Sequence, residues 1–391
     1  MYCPDFYPRV SGYSLAFQDL VRGLASHPAG VEVDVFTPVP LTGEQEFLQP
    51  GVRVIRLDLR DRFTRVRFLP ALWNLLAKPW ITARAMADEH GRRDYRFVLF
   101  ETIEEPLILR LLPDQLRARA VVRVHACMET EVVLWGKGLV MGLRRCLIGH
   151  VLRRHIRFIA ATSHHYIGFV RKWYLREDEL LIASKRFCVV ENSAPTIDGL
   201  QRRGFAQKDR VQFLTLGRMD WQGANQKGFD DILLALAHLR PELRRRIGLT
   251  IIGKGGERGR LMRIAAGIGG FQAEFIESLP NEGVRDYLRR VDCVVLASRY
   301  EGMSMFALEA LASGCPVIFS DAGGIAELVD LNGYRFPAGD ARALSQRIEQ
   351  FSGLTDEQLC GMSERSLQMA AGFTPVAAAE RLLEFVRLID A

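Results

Sequence analysis

Two glutamates, Glu301 and Glu309, lie on either side of a predicted helix start that follows a buried apolar run. The run Val291–Ala297 is typical of a parallel strand buried on both faces. The pattern Ser304–Ser313 predicts a helix that Gly314 closes. Both carboxylates are therefore expected beyond the carboxyl end of a strand, which is where open α/β sheets bind ligands.

The helix start offers anion-binding groups beside these carboxylates. The backbone amides of Met303, Ser304 and Met305 would have no acceptor within the helix. Gly302 lets a ligand approach the backbone closely. Carboxylates accept hydrogen bonds from hydroxyl groups, so phosphate at the helix start with hydroxyls on either side describes a nucleotide sugar. The alternative is a solvated glutamate pair flanking an ordinary helix start.

Two basic residues, Arg218 and Lys227, follow another predicted strand in the second half of the chain. The predicted strand Val211–Leu216 runs into Gly217 and Arg218, and Lys227 and Gly228 precede the next helix. Arginine and lysine at a strand end and a helix start would neutralise a diphosphate. Taken alone, each of these basic residues fits an ordinary surface charge better than a phosphate contact.

These motifs resemble the C-terminal domain of the family 4 retaining glycosyltransferases, which have the GT-B fold. The similarity rests on GR…KG (217–228), EGMSMFALE (301–309) and GCPVIFSDAGGIAELV (314–329), and it covers the first half of the chain more weakly. The resemblance implies an α/β protein with two Rossmann-like domains facing each other across a cleft. It also implies a C-terminal helix, Pro375–Ala391, that crosses back onto the N-terminal domain.

The resemblance also implies a role for each motif. Arg218 and Lys227 would contact the diphosphate of the donor, although the eight residues between the two motifs are more than the family usually has. Glu309 would hold the ribose hydroxyls, and Glu301 with the amides of 302–305 would hold the sugar and the distal phosphate. The activity implied is retaining transfer of a sugar from a nucleoside-diphosphate sugar to an acceptor hydroxyl, as in bacterial-type surface polysaccharide, lipopolysaccharide or glycolipid synthesis.

The first half supplies two weaker matches. Gly12 precedes a helix-like run, Tyr13–Ala25, where the family has a glycine loop near the donor phosphates, and Ser11 replaces one of its usual two glycines. His125 ends a predicted strand and resembles the family's cleft histidine, which touches the donor sugar. The family often has an aspartate next, but Ala126 follows here, so an acidic helper is displaced or absent. A turn glycine and a structural histidine are the alternatives.

A glycine-rich stretch, Gly253–Gly256, keeps a different class of enzyme open. It follows the predicted strand Leu249–Ile252 and mimics a dinucleotide fingerprint, but Gly259 comes one position late. An NAD(P)-dependent oxidoreductase and a non-catalytic nucleotide-sugar-binding subunit are therefore the alternatives. In a GT-B enzyme the loop at Gly253 would lie beside the donor nucleotide. A nucleic-acid binder is disfavoured because no recognisable RNA module accompanies the arginines.

We expect no divalent metal and no other cofactor. The proposed phosphate site is already cationic, so the protein supplies the charge that a metal would bring. Asp58 and Asp61 have the wrong spacing for an Asp-x-Asp motif, and Asp230 and Asp231 open a helix without a third ligand.

Short apolar runs alternate with helical patterns along the chain. This alternation predicts strands and helices arranged in α/β layers. The predicted strands are Val31–Phe36, Val52–Leu57, Arg96–Phe100, Ala120–Val124, Phe158–Thr162, Phe187–Val190, Val211–Leu216, Leu249–Ile252, Glu274–Ile276, Val291–Ala297 and Pro316–Phe319. A polar, turn-rich segment, 191–198, divides the chain. We therefore predict an N-terminal domain, 1–192 with 375–391, and a C-terminal donor domain, 196–374.

The composition limits the class of protein. The 391 residues are 48% hydrophobic and 25% charged, which is typical of a globular protein and excludes disordered and collagen-like classes. No stretch of 18 apolar residues is free of charge, and no signal peptide is recognisable. The seven cysteines contain no Cys-x-x-Cys pair. We expect a cytoplasmic protein.

Charge is uneven along the chain. The first 195 residues carry a net charge of +7 and the remainder −1, which together give the +6 of the whole chain. Basic residues interleave with apolar ones in two stretches: Arg62, Phe63, Arg65, Arg67, Phe68, Leu72, Trp73, Lys78 and Trp80, and Leu143, Arg144, Arg145, Leu147, Leu152, Arg153, Arg154 and Arg157. Such stretches suit peripheral contact with an anionic inner membrane surface. The family resemblance implies a carbohydrate or lipid-linked acceptor, and this favours the membrane contact. Ordinary solvated helices, in a chain rich in arginine, are the alternative.

Overall fold

The chain forms two compact units, each with a parallel sheet covered by helices. The computed structural model describes residues 1–4, 6, 12–39, 47, 49–59, 73, 77–103, 106–125, 139–195 and 210–389. Unit 1 consists of Met1–Ser193 with Pro375–Ala391, and unit 2 of Ala194–Thr374. The α/β architecture predicted from the alternating patterns is confirmed.

The strands of unit 1 all pair in parallel. They are β1 (Val33–Pro38), β2 (Val52–Leu57), β3 (Val98–Phe100), β4 (Ala120–Val124), β5 (Phe158–Ala161) and β6 (Arg186–Val189). β1 pairs with β2, and the other four lie in the order β3-β4-β5-β6. Tyr2 forms parallel bridges to Phe36 and Phe100, so the segment around it takes the place of a strand between β1 and β3.

Helices cover both faces of this sheet. They are α1 (Gly12–Ala25), α2 (Lys78–Arg93), α3 (Pro106–Leu111), α4 (Asp114–Ala118), α5 (Leu139–His155), α6 (His164–Phe169), α7 (Glu179–Ala183) and the C-terminal helix α16 (Pro375–Arg387). A π-helical turn, Val170–Tyr174, extends α6. Strands β1, β3, β4 and β5 are almost wholly buried, as parallel strands between two helix layers must be, whereas β2 and β6 are only partly buried.

The C-terminal helix α16 is part of unit 1 because it packs on α1. Ala379, Leu382 and Val386 of α16 are buried in one apolar cluster with Phe17 and Leu20 of α1. A Cβ at Gly23 would lie 2.0 Å from the carbonyl oxygen of Pro375. Glycine at this position therefore allows the two helix backbones to approach closely.

The sheet of unit 2 is also parallel, with the order β12-β11-β10-β7-β8-β9. Its strands are β7 (Val211–Leu216), β8 (Ile247–Ile252), β9 (Gln272–Ile276), β10 (Cys293–Leu296), β11 (Val317–Ser320) and β12 (Gly333–Phe336). Its helices are α8 (Trp221–Lys227), α9 (Phe229–His238), α10 (Pro241–Arg244), α11 (Arg258–Ile268), α12 (Asn281–Arg290), α13 (Met305–Ala312), α14 (Ala341–Ser352) and α15 (Asp356–Ala370), with a 3₁₀ helix at Gly323–Leu328.

The observed elements correct several sequence-based expectations. The eleven predicted strands are all present within two residues of their predicted ends, but β12 and helix α8 were not predicted. In one of the two interpretations of 143–157, Leu147 and Leu152 would face a membrane. Leu152 is instead fully buried in the core of unit 1, and Leu147 packs against that core.

Some predicted features lie outside the described residues: 5, 7–11, 60–72 and 126–138, which include Arg62, Arg65 and Arg67, and the side chains of Leu143, Arg144 and Arg145. Within the described ranges, no helix has the length and apolar character needed to cross a bilayer.

Candidate active site

Two motifs of unit 2 come together at one edge of its sheet. Lys227 follows β7 through helix α8, and Glu301 follows β10, which is the neighbour of β7 in the sheet. The ammonium group of Lys227 forms an ion pair with Oε2 of Glu301. Both side chains are mostly buried, with exposed fractions of 17% and 13%. The carboxyl ends of the strands thus carry a partly shielded cation–carboxylate pair.

Helix α8 explains how Lys227 reaches this position despite the eight residues that separate it from Arg218. Asp220 caps the helix by accepting a hydrogen bond from the amide of Gly223. The helix then carries the chain back toward β7. A Cβ at Gly217 would lie 2.6 Å from Cγ of Lys227, so the glycine makes room for the lysine stem to cross the strand end.

Gly228 fixes the corner between α8 and α9. Its φ of +62° lies in the left-handed region that glycine adopts without strain. A Cβ at this position would lie 2.1 Å from the carbonyl oxygen of Ala297, at the end of β10. The corner after Lys227 is therefore packed directly on the strand that leads to Glu301.

Arg299, which follows β10, holds the same corner. Its guanidinium group donates to both carboxylate oxygens of Asp231, at 3.1 and 3.0 Å, and to the side chain of Asn225. Its backbone amide donates to the carbonyl of Gln226 at 2.8 Å. The sequence analysis missed this anchor, although a charged residue three positions after a buried strand was a usable signal.

The glycine-rich loop after β8 packs against the loop after β7. A Cβ at Gly253 would lie 2.0 Å from the carbonyl oxygen of Gly217, and one at Gly255 would lie 2.0 Å from the carbonyl carbon of Met219. The amide of Met219 donates to the carbonyl of Lys254 at 2.8 Å. Close packing of two loops thus accounts for these glycines without a dinucleotide.

Arg218 lies at the open side of this region. Its side chain is 64% exposed and pairs with Asp220 at 3.5 Å. The pairing is a surface contact, which a phosphate group can replace at small cost.

The loop from Glu301 to Glu309 is held by short-range hydrogen bonds. Oε2 of Glu301 accepts a hydrogen bond from Oγ of Ser298 at 3.2 Å. The backbone carbonyl of Glu301 accepts one from the amide of Gly324 at 3.1 Å. Ser304 caps helix α13 by accepting from the amide of Ala307 at 3.4 Å.

Helix α13 begins at Met305, and the amides of its first turn have no acceptor within the helix. Gly302 precedes this start, and Met303 and Ser304 are buried there. Glu309 lies on the second turn, half-buried.

Unit 1 contains two predicted site residues, one after a strand and one at a helix start. His125 directly follows β4, and its side chain is only 8% exposed. Gly12 is exposed and opens α1. The ring of Tyr13, the next residue of α1, packs edge-on against the imidazole of His125 with 5.3 Å between ring centroids. The two first-half motifs of this chain are therefore neighbours.

A buried charge cluster lies under His125 and was not predicted. Arg123, in β4, and Glu101, directly after β3, both have no exposed surface, and Nη1 of Arg123 lies 3.0 Å from Oε2 of Glu101. Nε2 of His125 contacts the same carboxylate oxygen. An acidic partner for the histidine is thus present, but it comes from the neighbouring strand. An arginine within a run of valines was the signal that a buried partner had to exist.

The surroundings set the charge states in this cluster. Burial alone would raise the pKa of Glu101, but the charges of Arg123 and His125 bring that pKa below its ordinary value. Burial, with help from Arg123, lowers the pKa of His125. Burial and the nearby Cys3 and Glu101 raise the pKa of Tyr13 well above 10. The cluster therefore holds an ionised carboxylate beneath a neutral imidazole.

Comparison with known families identifies both halves of the chain. Residues 210–352 match the model described as glycosyl transferases group 1, and residues 11–183 match the glycosyl transferase 4-like domain. The chain belongs to the family 4 glycosyltransferases. This confirms the resemblance seen in the motifs, and the family match replaces the oxidoreductase alternative.

Curated relatives from this family match parts of the chain. A glycogen synthase of Mycobacterium tuberculosis is 30% identical over 199 residues, which are 46% of each chain. A GDP-mannose-dependent alpha-(1-6)-phosphatidylinositol monomannoside mannosyltransferase of Mycolicibacterium smegmatis is 26% identical over 65% of this chain and 73% of its own. The chain spans about half the length of the first of these relatives.

Solved structures match nearly the whole chain. A sucrose-phosphate synthase from Thermosynechococcus elongatus has a TM-score of 0.71 at 19% identity, covering 97% of this chain and 94% of its own. Anabaena HepE in complex with UDP and glucose has a TM-score of 0.67 at 15% identity, covering 99% and 98%. At these identities the likeness establishes the fold, which is GT-B with two Rossmann-like units.

Proposed function

We propose that this protein is a retaining glycosyltransferase that moves a hexosyl group from a nucleoside-diphosphate sugar to an acceptor hydroxyl. The observation that carries the proposal is the Lys227–Glu301 pair at the carboxyl ends of β7 and β10, beside the start of helix α13. Ligands of open α/β sheets bind at such strand ends. Family membership supports the reaction class, and the complex of HepE with UDP and glucose supports a nucleotide-sugar donor.

The proposed mechanism assigns the cationic groups to the leaving diphosphate. Negative charge develops on the diphosphate as the bond to the sugar breaks. Arg218, Lys227 and the amides at the start of α13 would stabilise that charge within unit 2. Preorganised donors of this kind are often the largest catalytic contribution.

The two glutamates would divide the recognition of the donor. Glu309, on α13, would accept hydrogen bonds from the ribose hydroxyls. Glu301 would accept from hydroxyls of the sugar, and its ion pair with Lys227 holds its carboxylate in place before the donor binds. For His125, in unit 1, we propose the contact with a sugar hydroxyl that the family resemblance implies.

A panel of nucleotide sugars, read by thermal shift, tests the proposal. A donor at 100 times its dissociation constant should stabilise the protein by about 2.7 kcal/mol. Glu309→Ala should weaken both the free nucleoside diphosphate and the nucleotide sugar by about 1.5–3 kcal/mol, because a charged hydrogen-bond partner is lost.

Glu301→Ala should give a different pattern. It should weaken the nucleotide sugar, while the free diphosphate should keep its affinity because Lys227 is then released from its ion pair. Glu242→Ala, at an exposed site of unit 2, is the control. Equal effects of the two active-site variants on both ligands would contradict the assignment.

We further propose a carbohydrate or lipid-linked acceptor reached at an anionic membrane surface, in surface polysaccharide, lipopolysaccharide or glycolipid synthesis. Two tryptophans of unit 1 support this location. Trp80 is 51% exposed beside Arg84, and Trp173 is 48% exposed beside Lys172. Exposed aromatic rings next to cations suit the headgroup region of a bilayer.

A further inference from the structure

The guanidinium group of Arg123 is held so firmly that it fixes the carboxylate beside it. Its Nε donates to the carbonyl of Val190 at 2.9 Å, and its Nη2 donates to the carbonyl of Glu191 at 2.9 Å and to Oδ1 of Asn192 at 3.1 Å. Only Nη1 remains, and it faces both carboxylate oxygens of Glu101, at 3.2 and 3.0 Å. Because the guanidinium is planar and its Nε and Nη2 donors are already engaged, the carboxylate of Glu101 can bind only at Nη1, in one position.

This carboxylate meets only one nitrogen of His125. Nε2 contacts Oε2 of Glu101 and also lies 2.8 Å from Nη1 of Arg123. A bare Nε2 could accept from Arg123, but its lone pair would then face an ionised carboxylate. A protonated Nε2 donates to Oε2 instead, so that Nε2 of His125 and Nη1 of Arg123 both donate to the same carboxylate oxygen. The second arrangement is the favourable one, because the hydrogen bond to a charged acceptor is the stronger.

The other nitrogen of the ring is left open. Nδ1 of His125 has no hydrogen-bond partner among residues 1–4, 6, 12–125 and 139–389 as far as these are described, although the side chain is about nine-tenths buried. The edge of Tyr13 packs on the ring, and the Tyr13 hydroxyl donates to the carbonyl of Glu101 at 3.1 Å. The ring is thus clamped on one side while one polar atom has no partner.

We propose that Glu101, held by Arg123, fixes His125 as the Nε2–H tautomer and so presents Nδ1 as a hydrogen-bond acceptor for a substrate hydroxyl. Glu101 is then a positioning residue, because it acts through His125. The tautomer follows from the contacts in unit 1 alone, and only the identification of the hydroxyl as that of a sugar rests on the proposed function. A neutral imidazole carries one proton, so placing it on Nε2 leaves Nδ1 bare.

The tautomer can be measured directly by two-bond ¹H–¹⁵N correlation spectra of protein labelled with ¹⁵N-histidine. Loss of one set of signals in His125→Gln assigns His125 among the eight histidines. At pH 7.5 the wild type should show the Nε2–H pattern. The Nδ1–H pattern or an imidazolium at this pH would overturn the proposal.

Two substitutions at Glu101 sharpen the test. In Glu101→Gln the single amide oxygen should accept from Arg123, which turns the amide NH₂ toward Nε2 and should switch His125 to the Nδ1–H form. Glu101→Asp keeps a charged acceptor and should keep the Nε2–H form. Glu177→Gln, on an exposed turn of the same unit, should leave the pattern unchanged. An unchanged tautomer in Glu101→Gln would overturn the proposal.

The wild-type spectrum serves as the test even where Glu101→Gln does not fold. Sugar transfer should fall at least tenfold in Glu101→Gln and be largely retained in Glu101→Asp. Nucleotide-sugar binding in the thermal-shift panel reports separately on the proposed function. Binding together with the wrong tautomer refutes only the positioning role, whereas the correct tautomer without any binding refutes only the proposed function.

Discussion

At the scale of single residues, the most demanding feature is the burial of Glu101 and Arg123 without any exposed surface. Removing a charge from water costs several kcal/mol, which is offset only when every polar atom of the group is satisfied. Arg123 meets this condition through Val190, Glu191 and Asn192 as well as Glu101. The cluster therefore ties β3, β4 and the segment after β6 into one rigid arrangement.

We expect the native state to lose stability in acid because of His125. Its pKa is lowered in the folded protein by burial and by Arg123, while Glu101 opposes this. Tyr13, which packs on the ring, has a raised pKa and is uncharged. Below about pH 6.5, the ordinary histidine value, the unfolded chain therefore binds a proton that the folded chain does not. The free energy of unfolding should fall as the pH decreases through this range.

Urea unfolding at pH 7.5, 6.5 and 5.5 checks this expectation. His125→Gln lacks the titrating group and should show a smaller loss of stability between pH 7.5 and 5.5. His155, whose pKa is also lowered, is present in both proteins and so does not affect the difference. Parallel pH profiles for the two proteins would contradict the expectation. Glu101, with its lowered pKa, adds a further loss only below its ordinary value of about 4.5.

The candidate site residues of unit 2 can be predicted from the sequence more readily than the buried cluster of unit 1. Glu301, Gly302 and Glu309 lie within one loop and helix, so their spacing alone indicates a shared site. Glu101 and His125 meet because β3 and β4 pair in the register Phe100 with Val122. Nothing in the local pattern fixes that register, so the sequence predicted the histidine and missed its carboxylate.

At the scale of elements, the strands are indicated by a local sequence pattern, whereas helix α8 depends on contacts that the local pattern does not reveal. Continuous apolar runs between two helix layers predict parallel strands well. Helix α8 contains Gly223 and several polar residues, and it is held by the Asp220 cap and the corner at Gly228 rather than by an apolar stripe. Strand β12 has the sequence GYRF, with an exposed arginine and only Phe336 fully buried, so it lacks the continuous apolar run that marks strands such as β10 and β11.

Gly228→Ala tests the corner that positions Lys227. Alanine would have to adopt a φ of +62° and would place its Cβ 2.1 Å from the carbonyl oxygen of Ala297. We expect a loss of about 2 kcal/mol or more in the free energy of unfolding, together with weaker binding of nucleoside diphosphate.

The control for this substitution is Gly259→Ala in helix α11, where a Cβ would meet nothing within 4 Å. That change should be neutral or should stabilise by up to about 1 kcal/mol, because alanine favours the helix. Denaturant unfolding of both variants, followed by circular dichroism, makes the comparison. Equal stability of the two variants would show that the corner is not strained by a side chain.

At the scale of the whole molecule, we expect sugar transfer to need no divalent metal. Asp230 and Asp231, the adjacent carboxylates nearest the cationic residues in the sequence, are already paired with Arg260 and Arg299. Transfer should persist after dialysis against excess EDTA. Activity abolished by EDTA and restored by magnesium or manganese would refute this and the cationic diphosphate site with it.

The same assay measures the cations that would replace the metal. Arg218→Ala or Lys227→Ala should reduce transfer about a hundredfold, as for the loss of one preorganised charge-stabilising donor. Arg245→Ala is the matched control, since this arginine pairs on the surface with Glu242. A reduction of similar size in the control would show that net charge, and not the site, determines the rate.

Contact with a membrane is a property of the whole surface of unit 1. At low salt, more protein should float with vesicles that contain anionic lipid than with neutral vesicles. The double variant Trp80→Ala, Trp173→Ala should reduce flotation several-fold. Trp221→Ala, which removes a tryptophan 62% exposed in unit 2, should not. Equal recovery with anionic and neutral vesicles would refute the contact.

The chain leaves unit 1 at Ser193 and returns to it at Pro375, so unit 2 is in effect an insertion within unit 1. A ribosome therefore releases all of unit 2 before it releases helix α16. Until then the apolar face of α1, with Phe17 and Leu20, lacks the helix that covers it in the finished protein. Every nascent chain thus carries an uncovered apolar groove for the whole time that unit 2 is being made, and translation products that stop early keep it. Helix α16 consequently closes unit 1 only after unit 2 has been synthesised, so a product truncated within unit 2 leaves α1 uncovered.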